Sequence, residues 1–264
     1  MLKLDNVSKL FNPGSPDEKI ALLGIDLHLQ AGDFVTIIGS NGAGKSTLMN
    51  VISGVMKPDL GEARIEGSSI SHLPEYQRAR WIGRVFQDPM AGTAPHMTIE
   101  ENLAMAFKRG QNRGLTFGVS STRRALFREQ LSRLGIGLEN RLRAQVGLLS
   151  GGERQALSLL MATFTQPQIL LLDEHTAALD PARAELITKL TESIVREMKL
   201  TTLMVTHNME QAIRLGNRLI MMDKGTIILD IDAERKKDLT VERLLGEFET
   251  ISGHKLADDR MMLG

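Results

Sequence analysis

Gly39-Ser40-Asn41-Gly42-Ala43-Gly44-Lys45-Ser46, followed by Thr47, fits the spacing G-x-x-x-x-G-K-[ST]. Glycines there let the backbone curl so that successive N–H groups, and the positive end of a following helix, point at one phosphate. Lys45 adds a mobile positive charge for the outer phosphates, and Ser46 offers a hydroxyl to Mg²⁺, which otherwise keeps waters and phosphate oxygens. A glycine-rich turn that fits by chance is the plainer reading. It loses ground because the apolar run Phe34 to Ile38 precedes the loop and a helical pattern begins near Lys45. A second element, Ile169-Leu170-Leu171-Leu172, delivers Asp173 and Glu174 at the C-terminal edge of an apolar strand, where ligands collect in open α/β sheets. Adjacent strand residues point to opposite faces, so Asp173 can approach a metal while Glu174 orients or deprotonates a water for in-line attack on phosphorus. A solvated strand end is the alternative, and the phosphate loop upstream weighs against it.

Leu149-Ser150-Gly151-Gly152-Glu153-Arg154-Gln155 stands ahead of the apolar helical stretch Ala156 to Ala162 and reads as a helix start with a hydroxyl and glycine N–H groups exposed. This is another anion site. One phosphate loop saturates one face of a bound nucleotide, so a second such turn has an obvious use only against another face, and a partner chain could supply it.

The elements that must hold these groups follow from patterning. Ile25, Leu27 and Leu29 alternate as a half-buried strand, Ala31-Gly32-Asp33 turns the chain, and Phe34 to Ile38 is a continuous apolar strand. Arg84-Val85-Phe86, Ile169 to Leu172 and Leu203-Met204-Val205 are further strands, with helical patterns between them, which favours an α/β fold with a mainly parallel sheet. Asp180-Pro181 opens the clearest helix, with Leu186, Ile187, Leu190, Ile194, Val195 and Met198 expected to face the core. Residues from about Thr98 to Thr165 read as an inserted helical subdomain interrupted at Gly110, Gly114 and Gly118, with Arg123-Arg124 opening its next helix. Asp223-Lys224-Gly225 is a hairpin signal within Ile220 to Leu229, and the charged tail beyond Asp230 is expected to be helical around Val241 to Phe248.

Composition bounds the rest. Lys and Arg number 32 against 32 Asp and Glu, so there is no whole-chain charge footprint for nucleic acid or anionic lipid. Zero cysteines exclude disulfides and thiolate-ligated metal. No stretch reaches the roughly 18 apolar residues of a membrane span, and residues 1 to 11 lack a secretory pattern. His28, His72, His96 and His175 show no paired ligand spacing, and the methionines scatter through apolar patterns as core residues do. Lys108, Arg109, Arg113, Arg123 and Arg124 read first as a solvated face and second as a docking surface.

With these residues in place the chain resembles the nucleotide-binding subunit of an ATP-binding cassette (ABC) transporter over about residues 1 to 230, closest to bacterial importer-type ATPases. The motifs carrying the resemblance are Gly39 to Ser46, Val85-Phe86-Gln87-Asp88, Leu149 to Gln155, Asp173-Glu174, Ala177-Ala178-Leu179-Asp180 and Val205-Thr206-His207. It implies a P-loop NTPase core with an N-terminal antiparallel β subdomain, a helical subdomain at about 88–166 and a short tail at 231–264. It also implies ATP and Mg²⁺ as ligands, with Phe11 stacking on adenine and Gln87, with Ser46 and Asp173, at the metal or the attacking water. His207 would touch the γ-phosphate and hold Glu174, which with Lys45 and Gln87 would carry the catalysis. Head-to-tail dimers would place ATP between the phosphate loop of one chain and Ser150, Gly151 and Gly152 of the other, with Asp180 facing the dimer seam and Gln155 counted among the nucleotide-binding residues. For Phe11 a core role, and for Asp180 a simple helix cap, are the alternatives.

The partners implied are a second cassette subunit (a second copy of this chain), membrane-spanning permease subunits and, for an importer, a solute-binding protein, at the cytoplasmic face of the cell membrane. The segment from Pro89 to Asn102 looks similar to bacterial cassettes grouped with amino-acid importers. The rival readings are an exporter ATPase, a soluble cassette ATPase such as one serving iron–sulfur assembly, and a nucleotide sensor without hydrolysis. Glu174 and His207 together argue against the last.

Overall fold

The computed structural model describes residues 1–110 and 118–252. Its elements in chain order are β1 (Leu2–Phe11), β2 (Lys19–Leu29), β3 (Phe34–Gly39), α1 (Lys45–Ser53), β4 (Leu60–Ile65), β5 (Ser68–Ser69), α2 (Glu75–Arg78), β6 (Ile82–Val85), α3 (Ile99–Phe107), α4 (Ser121–Ser132), α5 (Gly151–Thr163), β7 (Ile169–Asp173), α6 (Pro181–Met198), β8 (Thr201–Val205), α7 (Met209–Arg214), β9 (Arg218–Asp223), β10 (Thr226–Ile231), α8 (Ala233–Lys237) and α9 (Val241–Ser252). They form two compact units, one made of Met1–Arg78 with the chain from Leu200 onward, the other of Ala79–Lys199.

In the first unit β1 pairs antiparallel with β2 and β4, and β5 extends β4. The alternation at Ile25, Leu27 and Leu29 buries those three and exposes Asp26 and His28 between them. A second group of strands is built on β3, which runs parallel to β8 and β9, while β10 returns antiparallel along β9. Every residue of β3 and β8 is buried, as expected of strands covered on both faces. The β9–β10 turn uses Lys224 and Gly225, both at positive φ (45° and 80°), which is the mirror-image turn that matches strand twist. Beyond it, α9 buries Leu244 and Phe248 in a cluster with Ile38, Met209, Leu219 and Ile231.

A buried cation fixes the far end of α1. Arg78, fully buried, donates from Nη1 to Val51 O (2.7 Å) and Ile52 O (2.8 Å) and from Nε to Leu73 O (2.8 Å). Cations are favoured on the carbonyls that end a helix; burial still pushes this guanidinium down to about 10.

In the second unit β6 and β7 lie parallel, and α3, α4, α5 and α6 contribute to a core containing Leu103, Phe127, Leu131, Leu157 and Ile187. Phe107, Phe127 and Phe164 meet edge to face within it. Ser120 caps α4 by accepting from Arg123 N, so the Arg123-Arg124 helix starts where expected. The α6 expectation needs one correction: Leu186 is exposed, Leu190, Ile194 and Met198 are half-buried, and Thr188 and Thr191 share the buried stripe with Ile187 and Val195. At 100° per residue the stripe centres on 187–191–195, which turns Leu186 to its rim. Gly114 and Arg113 lie outside the described residues. Among the described residues no helix is long and apolar enough to cross a membrane.

Candidate nucleotide site

The phosphate-loop residues connect β3 to α1 within the first unit, and the local packing explains their identity. A Cβ on Gly39 would sit 2.2 Å from Met222 O, and one on Gly44 would sit 2.4 Å from Ala21 O, with φ at +152° and +102°. Only glycine fits either position. Helices α3 to α8 each open on a side-chain cap, from Thr98, Ser120, Ser150, Asp180, Asn208 and Asp232. In contrast, α1 opens on Gly44 with no side-chain cap, leaving its first amides to an anion. Lys45 is buried and folds back over the loop, donating to Gly39 O (2.7 Å) and Ser40 O (3.1 Å). Asn41, Gly42 and Ser46 are exposed, Thr47 is half-buried and Ala43 is buried.

Residues outside the motif shape this loop. Ser40 Oγ donates to Asp223 Oδ1 (3.0 Å), a carboxylate buried at the end of β9, and Gly225 N donates to Ala43 O (3.0 Å). The β9–β10 hairpin is therefore a buttress under the phosphate loop. Asp223 read only as a turn residue in the sequence, because its role depends on a strand register nearly two hundred residues away from the motif. Phe11 is half-buried at the end of β1 opposite Lys19, with the Lys9 ammonium 6.0 Å from its ring centroid. Lys19 Nζ lies 3.7 Å from where a Gly42 Cβ would be. His207 follows β8 and is half-buried. Beside it Thr206 donates to Gln211 Oε1 (2.7 Å), and Asn208 caps α7.

The second unit carries the other candidates. Asp173 ends β7, and its Oδ2 takes an ion pair from Arg84 Nη2 at 2.9 Å. Glu174 follows at φ 45°, where the chain leaves the strand in a left-handed turn. His175 is buried with Nε2 3.1 Å from Thr191 Oγ1. The Thr191 hydroxyl donates to Ile187 O (2.8 Å), which assigns the imidazole proton to Nε2. Burial pushes His175 down to about 4, so the ring is a neutral tie between the Glu174 turn and α6.

Ser150 caps α5 in a reciprocal box: its Oγ accepts from Glu153 N, and Glu153 Oε2 accepts from Ser150 N (2.7 Å). Burial works to raise the Glu153 carboxyl, but these hydrogen bonds and Arg141 at 2.6 Å outweigh it and hold it below the usual range. Leu179 packs 3.4 Å from a Cβ position on Gly151, and Arg183 3.2 Å from one on Gly152, so the Ser150 turn and the Asp180 turn stand side by side. Asp180 caps α6 by accepting from Arg183 N (3.1 Å). Gln87 is exposed. Gln155 is 1% exposed and donates to Phe86 O at 3.5 Å, so it braces the segment carrying Gln87.

Comparison with known proteins agrees with this fold. The ABC transporter family profile matches residues 22–177. A tyrosine transport ATP-binding protein of Clostridioides difficile (strain R20291) is 46% identical over 251 residues, covering 94% of this chain and 99% of that protein. A spermidine/putrescine import ATP-binding protein of Spiroplasma citri is 34% identical across 86% of this chain, which spans 60% of that relative's length. Among solved structures, an ATP-binding cassette in a dimeric post-hydrolysis state bound to ADP and Pi superposes with a TM-score of 0.76 at 30% identity, covering 88% of this chain and 99% of that one. The chain belongs to the ABC transporter family, as an ATP-binding cassette with the P-loop NTPase fold. It is an ATPase.

Proposed function

We propose that this ATPase powers the import of a small solute, an amino acid, through separate membrane-spanning subunits. The observation that supports this most is the 46% identity to a tyrosine transport ATP-binding protein along 99% of that relative. The ATPase domain runs to about residue 230, and of the short tail that follows it, α9 packs onto the domain through Leu244 and Phe248. The chain works as a peripheral subunit at the cytoplasmic face of the cell membrane, as a pair of copies docked on the permease, with a solute-binding protein delivering cargo.

The reaction is in-line attack of water on the γ-phosphate of ATP, released as ADP and phosphate. Lys45 and the uncapped amides of α1 take the phosphate charge, and Phe11 carries the adenine. The donors for Mg²⁺ are hard oxygens, Ser46 Oγ, a carboxylate oxygen of Asp173 and the Gln87 amide oxygen. One or two carboxylates with phosphate oxygens and waters is the set this ion prefers, so a single carboxylate with two neutral oxygen donors fits it. Bound there, Mg²⁺ supplies charge neutralisation of the outer phosphates. Glu174 orients and deprotonates the attacking water, and His207 holds Glu174 against the γ-phosphate. Ser150, Gly151, Gly152 and Asp180 of a second copy close the other face of the nucleotide, so binding drives association and hydrolysis releases it.

The test is purification of the tagged chain from gently solubilised membranes, followed by reconstitution in vesicles with whatever polytopic subunit copurifies. Amino-acid-dependent ATP hydrolysis with solute accumulation supports the proposal. Copurification of soluble scaffold proteins alone, with no polytopic subunit, contradicts it.

A further inference from the structure

In the β6–β7 pair Arg84 stands opposite Leu171, and Val85 opposite Leu172. Side chains two apart on a strand share a face, so Asp173 lies on the face of Leu171, one diagonal step from Arg84. The register thus brings the pair together, and both side chains are largely out of water, at 10% and 13% exposure. The guanidinium also lies over the Phe86 ring, 4.7 Å from its centroid, and Phe86 immediately precedes Gln87. A cation is therefore already seated on the carboxylate assigned above to Mg²⁺, and a second aromatic seat lies beside it.

We propose that Arg84 competes with Mg²⁺ for Asp173 and so sets the Mg²⁺ concentration at which nucleotide is taken up. This rests on the reading of Asp173 as the metal carboxylate. A lysine under two-cation crowding can lose its proton, but an arginine cannot, so its competition is permanent. To yield Oδ2 the guanidinium must withdraw along Phe86, which links the state of Asp173 to the segment bearing Gln87. Poor hydration of guanidinium and the aromatic ring make that withdrawal inexpensive.

The experiment is a Mg²⁺ titration of the binding of a fluorescent, non-hydrolysable ATP analogue to the full chain, by polarisation and with no turnover involved. For Arg84→Gln the Mg²⁺ concentration at half-maximal binding should fall roughly fivefold or more, the scale of a typical coupling between ligands. Arg84→Lys, which keeps a cation, should stay nearer the parent, and binding in EDTA should be the same for all three. A higher Mg²⁺ requirement in Arg84→Gln would show that Arg84 orients Asp173 for metal, and an unchanged one that it does neither; both overturn the proposal. Should Arg84→Gln fail to fold, Arg84→Lys decides the matter alone through a smaller fall in the Mg²⁺ requirement, because a flexible ammonium pairs less well than the planar fork; no change there overturns the proposal. Asp173→Asn separates the two levels: loss of Mg²⁺-dependent binding keeps the metal assignment, and its persistence removes that assignment independently of Arg84.

Discussion

Lys45 does two things at once, since its ammonium closes the loop on Gly39 O and Ser40 O and is the motif's own cation for the phosphates. Lys45→Ala should lower ATP turnover by at least about 100-fold, the effect of removing one preorganised charge stabiliser, and weaken nucleotide binding, read by a phosphate-release assay and by polarisation. Asp223→Ala should leave the Ser40 hydroxyl without its acceptor, costing about 1–3 kcal/mol, seen as a lower melting temperature with weaker nucleotide binding. The contrast between these residues explains what the sequence reveals. A cradle of consecutive amides has to be written consecutively, so Gly39 to Ser46 is legible as a string. Asp223 and Arg84 act through strand registers, Asp223 on Ser40 and Arg84 on Asp173, and nothing local to either residue announces it. The Gln155 contact with Phe86 O is hidden for a related reason: a motif position says nothing about which way a helix turns its side chain.

Among the elements, strands with continuous apolar runs were readable because burial on both faces removes the polar alternation. The half-exposed face of α6 was not, because Thr188 and Thr191 supply buried surface that hydrophobicity alone does not mark. The tail offers a testable case. Lys236 of α8 is buried, its ammonium held by Leu215 O just past α7, with Gly216 O at 3.4 Å. Burial lowers its pKa from 10.5 to about 8. Between those values the unfolded chain binds the proton and the folded chain does not, so stability from this group is full above pH 10.5 and is lost as pH falls through 8. The whole step is worth about 3 kcal/mol. Chemical denaturation from pH 8 to 10 should therefore show stability rising with pH relative to Lys236→Met; parallel profiles would place the ammonium outside the buried site.

At the scale of the molecule the candidate residues divide between the two units, Phe11, the phosphate loop and His207 on one, Gln87, Ser150, Asp173, Glu174 and Asp180 on the other. No run of sequence says how many copies a nucleotide needs, so the pairing was reachable only through the presence of two anion-binding turns and the family resemblance. If two copies clasp ATP, blocking cleavage while keeping binding must hold them together. Glu174→Gln does this by removing the base without removing the cradle. Sedimentation velocity of Glu174→Gln in ATP and Mg²⁺ is the most direct measurement: the account predicts a species of twice 29.1 kDa that reverts to 29.1 kDa when nucleotide is withdrawn. A chain that binds ATP tightly yet stays at 29.1 kDa at every protein concentration would contradict it.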